Sequence, residues 1–193
     1  MTYVDTSTPQ APLDGLPAEQ PNAAPGDFAA QGEADFKAGN YDAAIQNWRH
    51  ALVDDPQNGA IVMLLGQALF ATGKFDEAAG AVQSAMQILP QDKWGVVVSN
   101  FRELYPNNQT FTDQLRKLEA ERTVKDSPAV RFLLGYQYGY LGYPEQAVRE
   151  LDKTLELEPK DELAKKLRDM FAAQIKPAQQ TPAVVAPAAP LGN

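Results

Sequence analysis

AGNYDAAIQNWRHALVDDPQN (residues 38–58) and TGKFDEAAGAVQSAMQILPQD (residues 72–92) are two versions of one pattern. Gly39 and Gly73 lie 34 residues apart, as do Tyr41 and Phe75, Ala44 and Ala78, Ala51 and Ala85, and Pro56 and Pro90. A third version, LGYPEQAVRELDKTLELEPKD (residues 141–161), supplies Gly142, Ala147, Leu151, Leu155 and Pro159. Gly73 and Gly142 are separated by 69 residues, twice the period plus one, so the spacing calls for one more unit between them. Self-similarity at such a period is the mark of a stacked array of supersecondary units.

Each unit reads as a pair of helices. Runs such as IVMLLGQALFA, DEAAGAVQSAMQIL and EQAVRELDKTLEL place apolar residues three and four apart, the spacing of one helix face. They end at Gly, Asn or Pro, and no alternating apolar run suggests a sheet. Ser127-Pro128 is a helix start, Ser as cap and Pro next, and Pro144 is tolerated in a first turn. The fold class expected is all-α, antiparallel helix pairs joined by short turns.

The pattern resembles the tetratricopeptide repeat family, whose unit is a 34-residue helix–turn–helix. Leu65-Gly66 and Leu134-Gly135 match the Leu–Gly pair of a unit's first helix, and Gly39, Gly73 and Gly142 fall at its turn. Ala44, Ala78 and Ala147 stand where the two helices cross most closely, beside Trp48, Val82 and Leu151, and Pro56, Pro90 and Pro159 close the second helix. The resemblance implies a TPR-like α–α superhelix over residues 27–175, with units at about 25–58, 59–92 and 128–161 and a degenerate unit at 93–127. That unit has the length of a repeat without its Gly/Ala signature. DELAKKLRDMFAAQI then reads as a capping helix over 162–175 that shields the last repeat.

Prolines mark the ends. Residues 1–26 hold five Pro, three acids and no Lys or Arg, and residues 176–193 hold four more Pro among Ala, Val and Gln. Such composition buries too little apolar surface to offset chain entropy, and both segments are expected to be disordered tails. Pro9-Gln-Ala-Pro12 and Pro187-Ala-Ala-Pro190 fit a polyproline-ligand pattern loosely, but spacer is the favoured role.

Composition also removes most chemistry. The 193 residues contain no Cys and one His and carry a formal charge of −8. A disulfide framework, a Cys-ligated metal and a thiol nucleophile are excluded, as is a multi-His metal site. The acidic balance argues against nucleic acid as the main partner, and no apolar stretch is long enough for membrane insertion. Gly73-Lys74-Phe75 is not a phosphate loop, because Ala68 replaces its first Gly and Phe75 its Ser or Thr. Asp54-Asp55 precede Pro56 at a helix end and read as a solvated turn, and His50 reads as a surface residue. The Asn108-Gln-Thr110 sequon is not accompanied by a secretory signal in MTYVDTSTPQ, so a cytoplasmic location is expected, with association to the cell envelope as the alternative. An enzyme is not expected, nor is a cofactor or a metal.

Stacked helix pairs form a concave surface, which in the family is lined by each unit's first helix. Helical spacing places Met63, Gln67 and Phe70 on that face in the second unit, and Ala29, Glu33 and Lys37 in the first. One and two units on come Val97, Phe101 and Tyr105, then Phe132, Tyr136 and Tyr140. Some family members hold a terminal carboxylate with Lys, Arg and Asn here, and these residues do not match that clamp. The apolar, aromatic stripe instead suggests a groove for an extended apolar or Pro-containing peptide. The competing reading makes these rings inter-repeat core, with Phe101 and Phe132 more buried than Tyr136 and Tyr140. The function expected is a monomeric protein–protein adaptor. A structural part that self-associates through repeat edges, or a regulatory subunit of an enzyme complex, is the alternative.

Overall fold

Three glycines make the turns of the repeat. The computed structural model describes residues 27–175; the two Pro-rich segments expected to be disordered lie outside the described residues. Gly39, Gly73 and Gly142 have φ of 83°, 77° and 88°, a region that a Cβ penalises. Each lets the chain reverse so that a later amide closes the helix end: Asn40 N–H donates to Asp35 O, Lys74 N–H to Leu69 O and Tyr143 N–H to Tyr138 O, at 2.8, 2.9 and 2.9 Å. These are Schellman closures.

The turns join α1 (Phe28–Lys37) to α2 (Tyr41–Asp54), α3 (Gly59–Ala71) to α4 (Phe75–Ile88), and α8 (Pro128–Tyr140) to α9 (Pro144–Leu157). Within each pair the helices approach closely because small residues stand at the crossing. Ala44, Ala78 and Ala147 are 0% exposed. A Cβ on Gly32, Gly66 or Gly135 would come within 2.5, 3.0 and 2.5 Å of the Trp48, Val82 and Leu151 side chains respectively. Large residues of the second helix thus sit in notches left by glycines of the first. Asn58 and Ser127 cap α3 and α8 by accepting from the Ile61 and Val130 amides.

The order of stacking corrects the sequence reading. α2 packs on α3, α4 packs directly on α8, and α10 (Glu162–Ala172) closes α9. The expected degenerate unit at 93–127 is therefore not a layer of the stack. The chain leaves after α4 through a 3₁₀ turn (Gln91–Lys93), the short helices α5 (Val96–Ser99) and α6 (Phe101–Leu104), and then α7 (Asn108–Val124). Gly95, Asn100 and Pro106 interrupt this stretch, and three consecutive valines lower its helix propensity. Its one close glycine contact, Gly95 on the Tyr140 ring, is made to α8 and not within a helix pair of its own. The 69-residue spacing is one repeat plus an excursion.

All described elements are helical, and the superhelix is all-α. The capping role expected for 162–175 is met by α10, which buries Ala164, Leu167 and Phe171 and is capped by Asp161, whose carboxylate accepts from the Leu163 and Ala164 amides. Among the described residues no helix is long and apolar enough to cross a membrane.

Candidate interaction face

α3 is buried along most of its surface, with Ala60 exposed and Leu64 partly so. One face meets α2 and α4; the other meets the excursion, so Met63, Gln67 and Phe70 are 1%, 2% and 1% exposed. α8 shows the same: Phe132 and Tyr136 are both 1% exposed. The residues that bury them are the chain's own. Tyr136 Oη donates to the Trp94 carbonyl at 2.7 Å and contacts Met63 Sδ at 3.1 Å. Gln67 Nε2 donates to Tyr105 Oη at 2.8 Å, and Gln137 Nε2 donates to Gln67 Oε1 at 3.4 Å. Gly95 lies against the Tyr140 ring.

The eight residues assigned to a peptide groove thus divide. Met63, Gln67, Phe70, Tyr105, Phe132 and Tyr136 are buried in the described chain, and Phe101 and Tyr140 are partly exposed. The expectation that Phe101 would be more buried than Tyr136 is reversed. In the first unit Ala29 is partly buried, and the exposed Glu33 and Lys37 pair with each other at 2.5 Å. The structure brings the aromatic stripe together as a core: Tyr105 packs edge-on against Phe36 and Phe111, at 5.0 and 5.2 Å, and Phe111 stacks on Phe101 at 4.4 Å. Phe36 and Phe111 were not among the residues singled out. The signal that could have found this arrangement is α3 itself, whose sequence is apolar nearly all round, as suits a helix covered on most of its surface.

Burial sets the electrostatics. The phenols of Tyr105, Tyr136 and Tyr140 are pushed up from their ordinary value, chiefly by loss of water. Tyr138 is pushed up as well, by burial first and then by its hydrogen bond to the Glu119 carboxylate, 2.6 Å away. Neutral phenols therefore line the closed face. Glu150 locks α7 in place by taking Arg122 at 2.5 Å and Arg131 at 2.6 Å, while Arg131 also holds Asp126.

What the excursion leaves open is a pocket of about 230 Å³ between α3, the end of α4 and α5. It is lined by Ala60, Met63, Leu64, Leu89, Val96 and Val97, with Lys93 at its edge. Val96 is 44% exposed there, and Met63 belongs to the stripe read from the sequence. A larger, polar depression of about 700 Å³ lies at the first turn, around Asp35, Tyr41 and Asp42. Its acids are already engaged: Asp35 accepts from Asn47 at 2.7 Å and Asp42 pairs with Lys74 at 2.9 Å. His50 stacks on Phe28 with ring centroids 5.2 Å apart. Among the described residues no group of His, Cys, Asp and Glu is arranged to hold a metal.

Residues 29–93 match the family model described as tetratricopeptide repeat. No curated protein matches the chain in sequence. Among solved structures it is similar to the first TPR of Spaghetti (RPAP3) bound to HSP90 peptide SRMEEVD, with 19% identity, covering 76% of this chain and 89% of that one at a TM-score of 0.35. It is similar to MamA protein, with 21% identity, covering 76% and 85% at a TM-score of 0.35. A third is a thermophilic TPR protein of Thermus thermophilus, with 19% identity, covering 76% and 78% at a TM-score of 0.32.

Proposed function

We propose that this chain, a tetratricopeptide-repeat protein, is a non-enzymatic adaptor that meets an extended protein segment at the open remainder of its concave face. One observation carries the reading: the excursion after α4 covers the concave side of α3 and α8 yet leaves the apolar pocket beside Met63 and Val96 uncovered. A concave apolar pocket with a single cation at its edge suits one anchoring apolar side chain of an extended segment. Phe101 and Tyr140 are the two partly exposed members of the stripe. The apolar or Pro-containing partner read from the sequence fits the pocket's lining, whereas a carboxylate clamp has no set of Lys, Arg and Asn to build it.

The test replaces Val96 with a photo-crosslinking residue in the source cell. Val124, 82% exposed at the far end of α7, takes the same residue as control. The adaptor reading expects one dominant partner captured at 96 and not at 124. Equal capture at both positions, or none at 96, overturns it. Light scattering separates the self-associating alternative, since the adaptor is monomeric without its partner.

A further inference from the structure

The chain re-emerges beside the pocket it left open. α10 runs back along the stack until Met170 Sδ lies 3.4 Å from Gln91 Nε2, and Phe171 packs edge-on against Tyr140 with centroids 5.2 Å apart. Gln91 belongs to the same 3₁₀ turn as Lys93, and that turn and Leu89 before it form one wall of the pocket. The described chain ends at Ile175, one turn beyond Phe171. Eighteen residues follow, 176–193, with no acidic side chain and one cation, Lys176. Their bulkiest apolar pair is Val184-Val185, set between Pro182 and Pro187.

We infer that residues 182–187 are the resident occupant of this pocket, with Val184-Val185 as the anchor, so that an outside partner must compete with the chain's own C-terminal segment. The inference rests on reading the pocket as the open part of the concave face. Reach permits it: Val184 is nine positions beyond Ile175, and an extended chain covers about 30 Å in that length. Chemistry favours it over the N-terminal segment. Six of the seven lining residues are apolar, matching Ala183–Ala186. The acidic 1–26 segment would approach from Asp27, past Asp54 and Asp55, which line the neighbouring hollow with Phe28 and Ile61. Lys93 already has Asp92 at 3.6 Å, which weakens its pull on that acidic segment. The flanking prolines lower the entropy lost on docking, because their φ is fixed in advance.

The absence of cysteine makes a clean test available. In the full chain, Ala189→Cys carries a nitroxide and the methionine methyls are isotope-labelled. The expected result is paramagnetic broadening of the Met63 methyl, lost when Val184→Ser and Val185→Ser are added and lost again with Val96→Asp at the pocket mouth. Circular dichroism confirms the fold in each variant, since the altered residues lie in the C-terminal segment or on an exposed rim. An unbroadened Met63 overturns the inference. So does broadening that appears only between a labelled and a separately nitroxide-bearing copy, which would make the occupant a second molecule. Broadening by a label at Thr8→Cys instead would assign the pocket to the N-terminal segment and equally overturn it. The photo-crosslink at 96 separates the two levels. Capture that persists while Met63 stays sharp removes the resident segment alone, and capture that increases in the Val184→Ser/Val185→Ser chain supports competition.

Discussion

The Tyr136 hydroxyl donates to the Trp94 carbonyl oxygen across 2.7 Å, with the two residues 1% and 5% exposed. This bond joins the third helix pair to the segment that leaves the second, and it lies on the side of the array where a groove was expected. Tyr136→Phe keeps the ring stacking and removes the donor, leaving a buried carbonyl unpaired at a cost of about 1–3 kcal/mol. Urea unfolding should show a lower midpoint with an unchanged slope. Hydrogen exchange should show residues 94–105 opening sooner while α1 and α2 keep their protection. Unchanged exchange there would mean the bond does not hold the excursion down.

Three glycines give three different outcomes on replacement by Ala, and the signs differ. Gly80 lies within α4 with no atom near its would-be Cβ, so Gly80→Ala gains helix propensity and stabilises by about 1 kcal/mol. Gly73→Ala also meets nothing within 4 Å, but its φ of 77° makes it lose about 1–2 kcal/mol. Gly135→Ala drives a Cβ to 2.5 Å from Leu151 Cγ and 3.2 Å from the Ala147 carbonyl. Overpacking of about 1–3 kcal/mol outweighs the helical gain at such distances. Thermal melts of the three variants should rank Gly80→Ala above wild type and the other two below it.

Ala78→Leu tests the crossing from the other helix. Ala78 is 0% exposed at the position equivalent to Ala44 and Ala147, and the larger side chain there should cost about 1–3 kcal/mol. A melting temperature equal to that of wild type would show that this repeat position does not set the helix spacing.

These positions were legible because a repeat writes its geometry several times. Gly39, Gly73 and Gly142, each with its alanine five residues on, are local requirements of a turn and a crossing, and each copy corroborates the next. The excursion was not legible in the same way. Residues 93–127 have nearly the length of a unit, so counting from Gly73 to Gly142 admits a fourth layer as readily as an insertion. What decides between them is which helix α4 packs against, a contact between residues far apart in sequence. Helical spacing puts Met63, Gln67 and Tyr136 on one expected side of the array. Whether that side faces water depends on Trp94 and Tyr105, whose placement only the tertiary fold determines.

Glu150 is the anchor of α7. Its carboxylate, 9% exposed, takes both Arg122 and Arg131, themselves 35% and 16% exposed. Glu150→Ala would leave both guanidinium groups without that partner. Breaking a buried pair costs about 3–5 kcal/mol, and the exposure of Arg122 lowers this to about 2–3 kcal/mol. Glu150→Gln keeps an acceptor and should recover part of the loss. Differential scanning calorimetry on the two variants measures the ordering. A Gln variant no better than Ala would assign the effect to charge alone.

Alkali should unfold this protein through its phenols. Tyr105, Tyr136, Tyr138 and Tyr140 are all raised above the ordinary value of 10.0, in each case with burial as the largest cause. A group whose pKa is raised on folding holds its proton more tightly in the native state. Its stabilisation is complete below the unfolded value and declines as pH climbs past it toward the native one. These four tyrosines therefore cause no loss of stability between about pH 7 and 9, and a progressive loss above about pH 10. Lys125, raised chiefly by its hydrogen bond to Asp76, changes stability in the same direction but is exposed and contributes little. Tyrosinate absorbance from these buried rings and helical circular dichroism, followed together through an alkaline titration, should change in a single cooperative step. Tyr136→Phe, although less stable at neutral pH, should lose less of its remaining stability above about pH 10. If all phenols ionised smoothly with the helices intact, the closed concave face would have to admit water, and the burial that defines it would be absent in solution.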